Sequence, residues 1–188
     1  MGTIRSFIAI PVKGLPKIDR ILDEIGRIRG IKGISPENVH LTLKFLGDID
    51  VDHEVPEISE ILTEIAGRHD PFSLLFHNTG AFPTIPSMRV AWIGIQSPEI
   101  ISLAKDVIQS LPPRPGEKKQ SFRGHLTIGR VKFQGEIDRA RRLLEQNTEQ
   151  EFGTLNVEEF HLIKSDLTPH GPIYHVIERF SLGAPRDS

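Results

Sequence analysis

Apolar residues along this chain follow two periods, and the alternation between them is performed twice. A β-branched and aromatic run from Ile4 to Ile10 predicts a strand. Ile18, Ile21, Leu22, Ile25 and Ile28 then recur at helical spacing, before alternation returns at His40-Leu41-Thr42-Leu43. A second amphipathic helix is predicted over 53–68, through Ile58, Ile61, Leu62 and Ile65, and a strand over 72–78. The second half repeats the order. Met88 to Ile95 predicts a strand; Ile100, Ile101, Ala104, Val107, Ile108 and Leu111 a helix; His125-Leu126-Thr127-Ile128 an alternating strand. A helix over 136–148 (Ile137, Ala140, Leu143, Leu144), a strand near 155–164 and a closing strand near 173–182 complete the pattern.

A unit of strand, helix, strand, helix, strand used twice predicts an α+β fold of two pseudo-symmetric lobes. Each lobe is expected to be a mainly antiparallel sheet with helices on its outer face, the two flanking a central cleft. The length of 188 residues, 38% of them hydrophobic, suits a single two-lobed domain over 1–188 with a core of its own.

The two alternating tetrapeptides share one composition: histidine, apolar, threonine, apolar. Successive strand side chains point to opposite faces, so each copy sets an imidazole and a hydroxyl on one face and two apolar groups on the other. A His-x-Thr triplet is cheap by itself. With 8 histidines among 188 residues, chance alone supplies about 0.4 copies. A third copy at His77-Asn78-Thr79-Gly80 lacks the apolar alternation and is expected to be a strand end where a turn begins. The other two are set apart by matched context, since 32 residues separate Ile8 from His40 and 33 separate Trp92 from His125. Brought to one cleft, they supply two proton-transfer groups, His40 and His125, and two neutral donors, Thr42 and Thr127. Acid/base cleavage of a phosphodiester needs that set. The spacing treats the two histidines as equivalent.

Charge and composition narrow the setting. A net charge of −2 argues against a long footprint on duplex nucleic acid and suits a small or terminal phosphate. The absence of cysteine removes thiolate chemistry and disulfides, fitting a reducing compartment. No apolar run approaches the roughly 20 residues that span a bilayer, and the chain enters a strand without a signal-peptide pattern, so a cytoplasmic location is expected. Basic residues gather near the motifs: Arg114, Lys118, Lys119 and Arg123 before the second, Lys44 and Arg130 after the two. They could collect a phosphate backbone or solvate a Pro/Gly loop. Simple alternation from His125 sends Arg130 to the far face, so its presence at a phosphate requires strand twist, a bulge or the strand's end.

Other chemistries fit less well. Neither motif carries a second metal ligand at i+2, where threonine stands. The segment Gly116-Glu117-Lys118-Lys119-Gln120-Ser121 lacks the spacing of a nucleotide phosphate loop. No G-x-S-x-G elbow occurs. Surface or structural roles are expected for His53, His69, His161, His170 and His175, and core packing for Trp92 and Phe45.

The chain resembles the two-histidine phosphoesterases, and among them the RNA 2′,3′-cyclic phosphodiesterases also described as 2′-5′ RNA ligases. The likeness runs from Arg5-Ser6-Phe7-Ile8-Ala9-Ile10-Pro11 through the extended first motif to Gly47, then Gly80-Ala81-Phe82-Pro83 and Arg89-Val90-Ala91-Trp92. It continues over Phe122 to Arg130 and ends with Leu162, Ser165, Leu167, Pro169, Gly171, Pro172 and Tyr174. Ser35-Pro36 and Gly124 stand where family members often carry Trp-Pro and a proline. The resemblance implies hydrolysis of a 2′,3′-cyclic phosphate, on an RNA end or a nucleotide, to a 2′-phosphomonoester, without metal or other cofactor. It also implies reverse ligation to a 5′-hydroxyl as a side activity. It makes His40 the proton donor and His125 the acceptor, with Thr42 and Thr127 holding the phosphate; Arg130, from its charge and its place just after the second motif, is a further candidate to bind it. A monomer is expected. The competing expectation is a non-catalytic module that binds RNA ends or nucleotides.

Overall fold

A computed structural model describes residues 2–113 and 122–183. The predicted elements are present, with one short strand more. The first half runs β1 (Thr3–Pro11), α1 (Pro16–Gly26), β2 (Ile31–Gly33), β3 (His40–Asp50), α2 (Glu54–Ala66) and β4 (Phe72–Phe82). The second runs β5 (Val90–Gln96), α3 (Pro98–Ser110), β6 (His125–Val131), α4 (Ile137–Glu145), β7 (Glu151–Val157), β8 (Glu159–Thr168) and β9 (Gly171–Ser181). The strand expected near 155–164 is in fact two, because β7 ends at Val157 and β8 begins at Glu159 and joins the other sheet.

Local chemistry explains the helices. Pro16 and Pro98 sit in the first turns of α1 and α3, where a missing N–H costs nothing. Ile18, Ile21, Leu22 and Ile25 of α1 are buried, as are Ile58, Leu62 and Ile65 of α2, so helical periodicity is converted into packing.

Every strand pair is antiparallel. One sheet has the order β3-β1-β8-β9 and the other β2-β6-β5-β4-β7. Aligning motif strand with motif strand superposes the first order on the last four strands of the second. In each sheet the motif strand pairs with the opening strand of its own half, and that strand pairs with a strand from the other half. Thus β4 leaves the first half to pair with β5, and β8 leaves the second to pair with β1. Helices are exchanged as well: α1 and α4 both pack on the β2–β7 sheet, and α3 packs with α2 on the sheet that holds β3. The two lobes predicted from the repeat exist, but each is assembled from both halves of the chain.

The motif strands have the expected two faces. Leu41 and Leu43 are 1% and 3% exposed and Leu126 and Ile128 are fully buried, whereas His40, Thr42, His125 and Thr127 are half-buried. Burying such side chains contributes about 1.5–3 kcal/mol each, which fixes the register against a one-residue slip.

Matched bulges interrupt both strands. On β3, Ala9 pairs with Thr42 but Ile8 with Lys44, leaving Leu43 as the extra residue. On β6, Trp92 pairs with Thr127 but Ala91 with Gly129, leaving Ile128 extra. Each bulge resets the alternation, so the residue five beyond each histidine returns to the histidine's face. Those residues are Phe45 and Arg130.

Candidate active site

Both histidines line one cleft of about 820 Å³, with Thr42 and Thr127 beside them. The volume is that of a small-molecule or nucleotide pocket. Its walls come from β3 and β9 on one sheet and β2 and β6 on the other.

The imidazoles are held in the same way. His40 Nδ1 lies 2.6 Å from the carbonyl oxygen of Asn38, and His125 Nδ1 lies 2.8 Å from that of Arg123. A carbonyl only accepts, so in each ring Nδ1–H donates and Nε2 is left to gain or release a proton. Two residues of backbone therefore fix each tautomer. The Thr42 and Thr127 hydroxyls make no hydrogen bond to a described protein group and remain available as donors.

The surroundings of the two rings differ. His40 lies between Phe7, at 4.7 Å between ring centroids, and Tyr174, at 5.1 Å and edge-on. Burial holds its pKa below the ordinary value, opposed by the bond to Asn38. His125 meets one ring, Phe82, edge-on at 4.9 Å. Burial lowers its pKa as well, and after the opposing bond to the Arg123 carbonyl, the charges of Arg123 and Arg130 lower it further. Arg123 itself lies over the Phe82 ring at 5.7 Å.

Arg130 is on the cleft face, paired across β5 with Val90 and, beyond it, Phe82; the cause is the bulge at Ile128, one of the three routes the sequence left open for it. Other expectations require correction. Phe45 is 60% exposed and lines the cleft instead of the core, because the bulge at Leu43 sets it in register with Phe7. Trp92 is on the same face as Thr127, half-buried, and its ring lies against Gly80, where a Cβ would meet it at 2.3 Å. His77-Asn78-Thr79 is not a strand end. It lies inside β4, where Asn78 takes φ 61° at a bulge and the Thr79 hydroxyl donates to Leu144 O at 2.6 Å, a structural bond. Of the basic residues singled out by sequence, Lys44 is buried beside the cleft and Arg123 is exposed at its wall, whereas Arg114, Lys118 and Lys119 lie outside the described residues, with the phosphate-loop-like segment.

The structure adds residues that spacing does not single out. Lys32, Lys132 and His170 line the cleft, and Tyr174, noted in the sequence only as part of a family likeness, closes over His40. Their signal is weak because each reaches the cleft from a short or terminal element. His161 is buried with Nε2 2.7 Å from Glu159, a structural pairing. Among the described residues, no three His, Asp or Glu side chains gather as metal ligands, and no helix is long and apolar enough to cross a membrane.

Residues 18–169 match the family model of the 2′-5′ RNA ligase superfamily. A curated relative from Archaeoglobus fulgidus, named RNA 2′,3′-cyclic phosphodiesterase, is 35% identical over 180 residues, covering 94% of this chain and 99% of that one. A relative of the same name from Aquifex aeolicus is 36% identical, covering 97% and 100%. Among solved structures, a Thermus thermophilus protein superposes with a TM-score of 0.79 at 27% identity, covering 97% of this chain and all of that one. The E. coli LigT protein, solved with 3′-AMP, shares the fold at a TM-score of 0.67 and 23% identity over 97% of this chain and 100% of its own.

Proposed function

We propose, because this chain belongs to the 2′-5′ RNA ligase superfamily, that it hydrolyses RNA or nucleotide 2′,3′-cyclic phosphates to 2′-phosphomonoesters. The observation that carries the reading is the pair of cleft-facing His-x-Thr strands, each with Nδ1 pinned to a backbone carbonyl and Nε2 left free. The names of the relatives over nearly the whole chain support the same activity.

In this mechanism water attacks phosphorus in line with the departing ribose O3′. His125 accepts the water proton at Nε2 and His40, protonated, gives its proton to O3′ as the P–O3′ bond breaks. The environment supports His125 as the acceptor: after burial, the Arg123 and Arg130 charges favour its neutral form. Thr42 and Thr127 donate to the non-bridging oxygens, where charge builds in the transition state, and Arg130 adds a charge beyond Thr127. The reverse reaction, joining the cyclic end to a 5′-hydroxyl, uses the same groups with roles exchanged. The reading requires no metal or other cofactor. It takes residues 1–188 as one two-lobed domain acting as a monomer, in the reducing cytoplasm that a cysteine-free sequence suits.

The test is incubation of the protein with a 2′,3′-cyclic nucleotide and with an RNA bearing a cyclic end, in EDTA. Release of a 2′-phosphomonoester that His40→Ala and His125→Ala each abolish, with unfolding midpoints near wild type, is expected. Binding without release in the wild type would leave the alternative, a non-catalytic module for RNA ends.

A further inference from the structure

The cleft is nearly two-fold symmetric in backbone but not in charge. On β6 the bulge places Arg130 on the cleft face, and Lys132, two residues on, shares that face. Lys32 of β2 is in register with Arg130 on the neighbouring strand, so its side chain points the same way. Gly33, next to it, faces α1, where a Cβ would meet Gly26 at 2.7 Å. In the other lobe Phe45 holds the place equivalent to Arg130, and a second bulge at Leu46 puts Gly47 opposite Ser6, off the cleft face. One lobe thus continues from His125 and Thr127 into a row of cations, and the other into an aromatic ring where the row ends.

We infer that Lys32, beside Arg130 on the neighbouring strand, and Lys132, two residues beyond it, form a second phosphate subsite that takes the internucleotide phosphate on the 5′ side of the terminal nucleotide. The inference rests on the activity proposed above and names its preferred substrate class: an RNA strand ending in a cyclic phosphate, over a free mononucleotide. A cyclic phosphate blocks the 3′ end, so the rest of the strand leaves the site in one direction only. A charged row on one side of the site matches that polarity.

The three side chains are exposed and make no ion pair with a described residue. Their backbone is fixed. Lys132 N–H donates to Gly30 O at 2.8 Å, and Val131 N–H to Arg89 O at 2.9 Å. Cleft-facing side chains two apart on a strand are spaced by about 6.6 Å, and neighbouring strands by about 4.8 Å, so the two lysines can reach a single phosphate from two sides. The net charge of −2 makes such a local row more telling, because the whole molecule does not attract a polyanion.

The experiment compares a mononucleoside 2′,3′-cyclic phosphate with a dinucleotide ending in the same cyclic nucleotide, over a range of salt. In the wild type, log kcat/KM for the dinucleotide should fall with log salt more steeply, by roughly 0.7, the slope of one neutralised phosphate on a single strand. Lys32→Gln with Lys132→Gln should lower the dinucleotide-to-mononucleotide ratio roughly 2- to 30-fold, the worth of two exposed charge pairs, and remove the extra salt slope. Lys105→Gln, on the outer side of α3, is the control and should leave the ratio as it is. An unchanged ratio and slope in the double variant overturns the subsite, as does an equal loss on both substrates. Absence of turnover on either substrate by the wild type overturns the activity, which is a different result.

Discussion

Phe7 is the residue through which packing and chemistry are most directly joined. It is 4% exposed, lies on the cleft face of β1, and belongs to a small apolar cluster with Ala9, Ile163 and Tyr174 that is separate from the main core. Its ring lies 4.7 Å from His40, 5.1 Å from Tyr174 and 6.2 Å from Phe45 between centroids. Truncating a buried Phe to Ala costs about 3–5 kcal/mol, the larger figures arising where the cavity cannot collapse. Here the cluster borders an open cleft that water and Phe45 can refill, so Phe7→Ala should cost about 3 kcal/mol. For a chain of this size that lowers Tm by about 6–12 °C. Phe7→Leu keeps most of the volume and loses the ring contacts, each worth about 0.5–1.5 kcal/mol, so a loss of about 1–2 kcal/mol is expected. His40 would keep its bond to Asn38 but lose one of its two flanking rings. A displacement of the order of 1 Å lowers kcat by about 10²-fold, with KM for a cyclic mononucleotide changing far less. Urea denaturation and steady-state kinetics on the same preparations check both figures. Phe7→Ala with a midpoint and kcat close to wild type would refute the claim that this cluster holds His40 in place.

Three further outcomes are expected. Thr127→Val and Thr42→Val keep shape and remove a hydroxyl, and each should lower kcat by about 10²–10³ with the fold intact; losses below threefold would remove the threonines from the phosphate. The pH profile of kcat/KM should be a bell. Its base needs neutral His125 and its acid needs protonated His40, and burial lowers both from 6.5, so both limbs should fall on the acid side of that value in the free enzyme. A flat profile between pH 5 and 9 would exclude the pair. Because both folded-state pKa values are depressed, the folded chain binds fewer protons than the unfolded one just below pH 6.5. Stability should therefore fall as pH drops through 6.5 toward the folded values, and His40→Gln should lose less between pH 7.5 and 5 than wild type does in urea titrations.

The sequence carried its periodic elements plainly. All four helices were legible because each buries one stripe against a sheet, and the motif strands because Leu41, Leu43, Leu126 and Ile128 have a core to face. Pairing was not legible. Nothing in the composition of β4 or β8 says that each joins the sheet of the other half, since strand partners are chosen by shape and connection length after collapse. The three residues of β2 are too few to show a period. Phe45 was misplaced by strict alternation, which a bulge suspends without leaving a mark in residue type, and the same alternation left three routes open for bringing Arg130 to the cleft. An apolar ring in an apolar run was expected in the core; Phe45 is in the cleft because of one inserted residue.

The exchange of strands between halves has a mechanical consequence. In a protein with two independently folded lobes, the distance between residues on opposing lobes is set by a linker and changes as the lobes swing. Here the chain crosses between the sheets four times, from β1 to β2, from β2 to β3, from β3 to β4 and from β7 to β8, so each sheet is stitched into the other. The spacing of His40 and His125 is therefore set by the weave of strands and not by a linker. Cutting the chain between β4 and β5 would yield two fragments, neither of which contains a complete sheet. The duplicated unit can be read as a repeat in the sequence but cannot stand as one in space.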